Sequence, residues 1–169
     1  SRDIVAQPAS KIAELAGLNL PEDKNFIMVE ETGVGADYPF SGEKLSVTMT
    51  LYKVEDFDAA IDQVNTITGY QGTGHSCGIH TTDDARIEQI GNDVKVSRIM
   101  VRQPHCYGNS GSWDNGMPFT MTLGCGTWGG NIASENVTWK HFINVTWVSQ
   151  PIEAVIPTDE ELFGAVMFN

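Results

Sequence analysis

Residues 46–80 read SVTMTLYKVEDFDAAIDQVNTITGYQGTGHSCGIH, and the pattern changes twice within them. Residues 46–54 are rich in β-branched and other strand-forming side chains, which suit a pleated, half-buried surface. Asp56 then stands where a helix cap belongs, and Phe57, Ala60, Ile61, Val64 and Ile67 follow at three-four spacing, one apolar stripe of a helix. Glycines at 69, 72 and 74 break that period, and SCGIHT reads as a short buried strand. The order is strand, helix, strand.

Working outward, the same alternation recurs on both sides. PASKIAELAG puts Ile12, Leu15 and Ala16 on one helical face, with Gly17 as a C-terminal stop. NFIMVE has strand length. Downstream, DDARIEQIGNDV opens with two acids, which favour the positive end of a helix, and VSRIMV is the next strand. This alternation predicts an α/β fold with a mostly parallel sheet flanked by helices. Residues 103–131 then lose any sustained period and are rich in Gly, Asn, Ser and aromatics, which predicts a long glycine-rich loop. HFINVTWVS alternates again and predicts a C-terminal strand, and IPTDEELFGAVMFN closes the chain as a short acidic segment of helical character.

The 169 residues are one domain's worth of chain, with 41% hydrophobic and 19% charged residues, a globular balance. Twenty-two acids against ten bases give a net charge of −12. That field disfavours nucleic acid or an anionic membrane as partner. No apolar run approaches a membrane span, and the N-terminus has no charged-then-apolar leader, so the expectation is a cytoplasmic protein. Cys77, Cys106 and Cys125 are odd in number and unevenly spaced, which fits reduced thiols better than a disulfide framework. Asn136-Val-Thr138 and Asn144-Val-Thr146 match the glycosylation sequon and are read as chance matches.

Three positions raise a question of chemistry. Glu43 precedes an apolar strand, where open α/β sheets bind ligands; the plain alternative is a solvated charge. In GTGHSCGIH, residues 72–80, the glycines precede a strand, so they are no dinucleotide fingerprint, and they put His75 at the strand's start. His75 and Cys77 would share a strand face from which His80 points away, so no three-ligand metal site forms locally. Cys125, in TLGCGTWGG, has neither a base nor a cation beside it in sequence, and packing is the favoured reading of that thiol.

Together QPASKIAELAG, PFSGEKLSV, LYKVEDFDAAI, GTGHSCGIHT and TLGCGTWGGNIASENVTWKHFIN resemble, in order and spacing, the coenzyme-A-acylating aldehyde dehydrogenases. GNSGSWDNGMPFT and PTDEELFG look most like the acylating sulfoacetaldehyde members; acylating succinate-semialdehyde enzymes and bifunctional aldehyde/alcohol dehydrogenases are near relatives. The resemblance implies that residues 1–169 are a single partial catalytic domain, its C-terminal part, with the nucleophilic cysteine and the cofactor domain upstream. Cys125 would then not be the nucleophile.

It implies further that a cysteine thiolate attacks the aldehyde, hydride passes to NAD or NADP, and the thioester is handed to coenzyme A. Glu43 would bind the nicotinamide ribose hydroxyls and His75 would assist the thiol exchange. A homo-oligomer is expected, with enclosure in a bacterial microcompartment left open. Two residues depart from the family pattern: Val47 stands where Pro is expected after Glu-Lys-Leu-Ser, and Arg102 where Asn is common.

For an anionic aldehyde such as sulfoacetaldehyde, Arg102 and His105 are the expected substrate-binding residues. They flank a glycine-rich loop whose amides can form an anion nest, and an arginine fork suits a sulfonate. The plain alternative for Arg102 is a surface ion pair. A non-catalytic assembly module on the same half-domain is the competing class.

Overall fold

The computed structural model describes residues 3–167. Helix α1, Ala9–Ala16, ends at Gly17 in the left-handed region (φ 67°), where the amides of Gly17 and Leu18 return to the carbonyls of Glu14 and Ala13. Strands β1, Ile27–Glu30, and β2, Thr48–Leu51, pair in parallel with Ile27 opposite Thr48. Helix α2, Phe57–Tyr70, is capped by Asp56, whose carboxylate accepts from the Ala59 amide at 2.8 Å. Strand β3, Cys77–Ile79, pairs in parallel with β4, Ile99–Val101, across helix α3, Asp84–Asp93. A single-turn helix α4, His105–Gly108, follows, and α5, Asp159–Met167, closes the described chain.

The main core forms where α2 and α3 lie on the β3–β4 pair. Ile61, Ile90 and Val94 from the helices bury against Cys77 and Ile79, with Phe57, Val64, Ile99 and Val101 packed around them. Each such aliphatic side chain contributes about 1.5–3 kcal/mol on leaving water. This is the three-four stripe of residues 57–67 meeting the alternate residues of a short strand.

The fold class is α/β with parallel pairing, as expected, and one expectation needs correction. The parallel pairing falls into two two-stranded sheets, β1–β2 and β3–β4, with no hydrogen bonds between β2 and β3. Apolar patterning fixes which face of a strand is buried and leaves open which edge it joins. The expected strand over HFINVTWVS is absent. Residues 139–141 form a 3-10 turn, residues 144–158 carry no regular structure, and Trp147 is 92% exposed. A strand exists only where another edge takes its amides and carbonyls, and none does here.

The 103–131 stretch is broken by α4 and by a 3-10 turn at Thr127–Gly129. Arg98, 5% exposed, ties it to β4: Nε donates to Asn136 Oδ1 and Nη1 to the Gly124 carbonyl, both at 2.7 Å. Asn136 in turn donates to the carbonyls of Pro118 and Asn109, and at 4% exposure it is no glycan acceptor. Among the described residues no helix is long and apolar enough to cross a membrane.

Candidate functional site

An open cleft of about 1140 Å³ lies between the β2 region and the segment that leads into β3. One wall is the loop before β2 with Glu43 and Lys44, backed by Thr48 and Thr50 of β2; the other is His75 and Ser76 leading into β3, with His105, Cys106 and Asn109 of the α4 region. Residues 40–50 and 71–76 thus meet residues 105–109.

Local hydrogen bonds fix each wall. The Glu43 amide donates to Gln71 Oε1 at 2.6 Å, which pins the loop to the end of α2, and the Glu43 carboxylate itself is exposed. Lys44 folds back, its Nζ donating to the carbonyls of Phe40 (2.6 Å) and Gly42 (2.9 Å), and partial burial lowers its pKa. Thr50 Oγ1 also donates to the Phe40 carbonyl, so β2 and the loop share one acceptor.

On the facing wall, Gly74 makes the turn that delivers His75. Its φ of +78° is open to glycine, and a Cβ there would lie 2.2 Å from the Cys125 carbonyl oxygen and 2.9 Å from Trp128 Cβ. The Gly-Cys-Gly-Thr-Trp-Gly segment is therefore the floor beneath the His75 turn. Cys125 is half-buried in that floor, its amide donating to Asn131 Oδ1 at 2.9 Å, and it does not line the cleft. The thiol that does line it is Cys106, which is exposed.

His75, Ser76 and His105 form one chain of contacts. Ser76 Oγ lies 3.2 Å from His75 Nδ1 and 2.7 Å from His105 Nε2, and Asn109 Nδ2 donates to the same oxygen at 3.3 Å. Burial lowers the pKa of His105, and the nearby His75 lowers it further, so His105 is neutral at physiological pH. Burial also pushes the Cys77 thiol, just below, up to about 11.

Of the four residues expected from sequence, Glu43, His75 and His105 line this one cleft. Arg102 does not. It is exposed, ends β4 with φ +54°, donates its amide to the Ile79 carbonyl at 2.8 Å, and turns its guanidinium toward the Thr81 carbonyl at 3.4 Å. Sequence reasoning passed over Lys44, Ser76, Cys106 and Asn109. Lys44, Ser76 and Cys106 each adjoin a residue it had chosen, so for these three the only available signal was adjacency. No group of three His, Cys, Asp or Glu side chains among the described residues could hold a metal ion.

The chain is 45% identical over 160 residues to an acylating sulfoacetaldehyde dehydrogenase of Cupriavidus necator, covering 94% of this chain and 32% of that protein. It is 48% identical over 162 residues to a sulfoacetaldehyde dehydrogenase of Acholeplasma, covering 95% of this chain and 33% of that protein. The crystal structure of an acetylating aldehyde dehydrogenase from Geobacillus thermoglucosidasius superposes with a TM-score of 0.84 at 35% identity, covering 92% of this chain and 34% of that one. In sequence and in fold the chain matches a segment of the acylating aldehyde dehydrogenases. It spans about a third of the length of these relatives. No family model matches it.

Proposed function

We propose that residues 1–169 are the C-terminal part of the catalytic domain of a coenzyme-A-acylating aldehyde dehydrogenase. The whole enzyme, in this reading, oxidises a small anionic aldehyde, sulfoacetaldehyde being the leading candidate. It uses NAD or NADP and transfers the acyl group from a cysteine outside these residues to coenzyme A. The observation that carries the reading is that Glu43 and His75, from separate segments, face one cleft.

Glu43 suits a ribose diol. Its amide is pinned by Gln71, and its carboxylate oxygens have no hydrogen-bond partner among the described residues, so both can accept from neighbouring hydroxyls. A nicotinamide cofactor, when bound, supplies the hydride acceptor; the role of Glu43 is to hold and orient it. His75 serves the transfer half-reaction. As the coenzyme A sulfur bonds to the thioester carbon, His75 takes the thiol proton, and the enzyme's cysteine leaves as thiolate.

Lys44 is the cation at the cleft, and we assign it, rather than Arg102, to the anionic end of the aldehyde. His105, neutral and committed to Ser76, contributes shape and hydrogen bonding and no charge. Cytoplasmic operation as a homo-oligomer belongs to the same reading.

Assay of the purified full-length protein with sulfoacetaldehyde, succinate semialdehyde and acetaldehyde, each with coenzyme A and NAD, tests it. Acyl-CoA and NADH should appear together, fastest with an anionic aldehyde. Glu43→Gln should cost about ten- to a hundredfold in kcat/KM for the cofactor, the worth of a charge-assisted pair. No turnover with any aldehyde would instead support an assembly module, and unchanged cofactor kinetics would make Glu43 a solvated charge.

A further inference from the structure

We infer that Ser76 and His105 form a positioning pair that holds His75 with its proton on Nδ1, so that Nε2 is the proton acceptor presented to the cleft. This rests on the assignment of His75 as the base of the transfer step.

The argument is a count of donors and acceptors around one oxygen. A serine hydroxyl has one proton to give and two lone pairs to receive. Three nitrogens surround Ser76 Oγ: His105 Nε2 at 2.7 Å, His75 Nδ1 at 3.2 Å and Asn109 Nδ2 at 3.3 Å. The amide of Asn109 can only donate, so it takes one lone pair. One lone pair and one proton remain for two imidazoles. One ring must therefore donate to the serine, and the other must accept from it.

The distances say which. A hydroxyl donor makes the shorter bond, with a mode near 2.7–2.8 Å, whereas ring or amide N–H donors to oxygen run from about 2.7 to 3.2 Å. The 2.7 Å contact fits Ser76 donating to an unprotonated His105 Nε2, and the 3.2 Å contact fits His75 Nδ1–H donating to Ser76. Burial opposes double protonation of His105, a state that would leave a donating Ser76 no acceptor, and the choice of its bare nitrogen is left to the distances. His75 then carries its neutral-state proton on Nδ1, and Nε2 has no hydrogen-bond partner among the described residues. When Nε2 takes a proton, the Nδ1–H bond to Ser76 persists and becomes charge-assisted. The neutral His105 adds no like charge.

The other titratable groups lining the cleft are Glu43, Lys44, Tyr52 and Cys106. None is hydrogen-bonded to either ring among the described residues, so the tautomer is set by the serine. The reverse arrangement, with His105 donating and His75 accepting, would leave His75 protonated on Nε2 and useless as a base toward the cleft.

The test is imidazole nitrogen NMR on the full-length protein carrying 15N-labelled histidine, which reads the tautomer without activity. At a pH where His75 is neutral, Nδ1 should give the protonated-nitrogen signal and Nε2 the bare one. Ser76→Ala and His105→Leu should each move His75 toward the Nε2–H form, and His105→Gln, which keeps a carbonyl acceptor for the serine, should restore the original signal.

In the full-length enzyme, His105→Leu should cost about tenfold in the coenzyme A transfer rate with KM for coenzyme A unchanged, the worth of one hydrogen bond. The pH profile of transfer should move with it, and His105→Gln should recover most of the loss. An Nε2–H signal in the unmodified chain would overturn the inference. So would a His75 tautomer indifferent to Ser76→Ala, which serves where His105→Leu fails to fold. The expected tautomer together with an intact transfer step in His75→Ala would retain the positioning pair and remove the base assignment beneath it.

Discussion

Gly74→Ala is the substitution that most directly probes how this site is assembled. The backbone at residue 74 has φ +78°, and the left-handed region costs a residue with a Cβ about 1–2 kcal/mol. The new methyl would also meet the Cys125 carbonyl oxygen at 2.2 Å, the Gly129 amide nitrogen at 2.7 Å and Trp128 Cβ at 2.9 Å. Two of these are backbone atoms and cannot swing away, so the floor must shift, at about 1–3 kcal/mol for overpacking. The sum is about 2–5 kcal/mol, a large share of the roughly 5–15 kcal/mol that holds a domain together.

Gly72→Ala is the internal control. Its φ is +98°, but nothing lies within 4 Å of a Cβ there, so it carries strain without the clash. Urea unfolding followed by circular dichroism should place Gly74→Ala below Gly72→Ala by the clash alone, about 1–3 kcal/mol, with similar slopes. Equal losses would refute the claim that the Gly-Cys-Gly segment is the floor of the His75 turn.

Two further outcomes follow from single residues. The Cys77 thiol stays protonated in the fold up to about pH 11, while an unfolded thiol ionises near pH 9, so above pH 9 the unfolded state binds fewer protons and stability falls as pH rises. Between pH 9 and 11 the loss should approach about 2–3 kcal/mol, and Cys77→Ala, though less stable at pH 7, should show a flatter decline over that window; parallel curves would contradict the assignment. Arg102→Gly relieves a left-handed residue at φ +54° and should leave stability unchanged or raise it by up to about 1 kcal/mol, with KM for an anionic aldehyde unaltered in the full-length enzyme. A raised KM for sulfoacetaldehyde alone, with acetaldehyde unaffected, would return Arg102 to the role of substrate anchor.

The elements of this fold were legible where local chemistry decides them. Asp56 followed by the 57–67 stripe specifies a capped helix and the face it buries, and Gly17 specifies a left-handed stop. Pairing was less legible. Alternation encodes a buried face and not a partner edge, so it did not reveal that β2 pairs with β1 and β3 with β4 in two separate sheets. HFINVTWVS failed for the same reason: its alternation is real, but no edge receives it.

At the site, spacing alone marked Glu43 and His75 as candidates and could not bring them together across the 31 residues between them. The family resemblance supplied a separate role for each, and their shared place on the walls of one cleft is a feature of the fold. Ser76 and Asn109 lie inside stretches that the resemblance rests on, but nothing in sequence singled out a serine and an asparagine 33 residues apart as partners. Their importance lies in a shared hydrogen-bond acceptor, which only the folded chain creates.

The central claim is that this cleft holds the base for thiol exchange, and pre-steady-state kinetics of His75→Ala in the full-length enzyme tests it most directly. With aldehyde, NAD and enzyme mixed ahead of coenzyme A, NADH formation should retain its burst while steady turnover falls about 10²–10⁴-fold, the usual share of a general base. A lost burst with intact transfer to coenzyme A would put His75 in the oxidation step, and unchanged kinetics in both phases would contradict the account of the site.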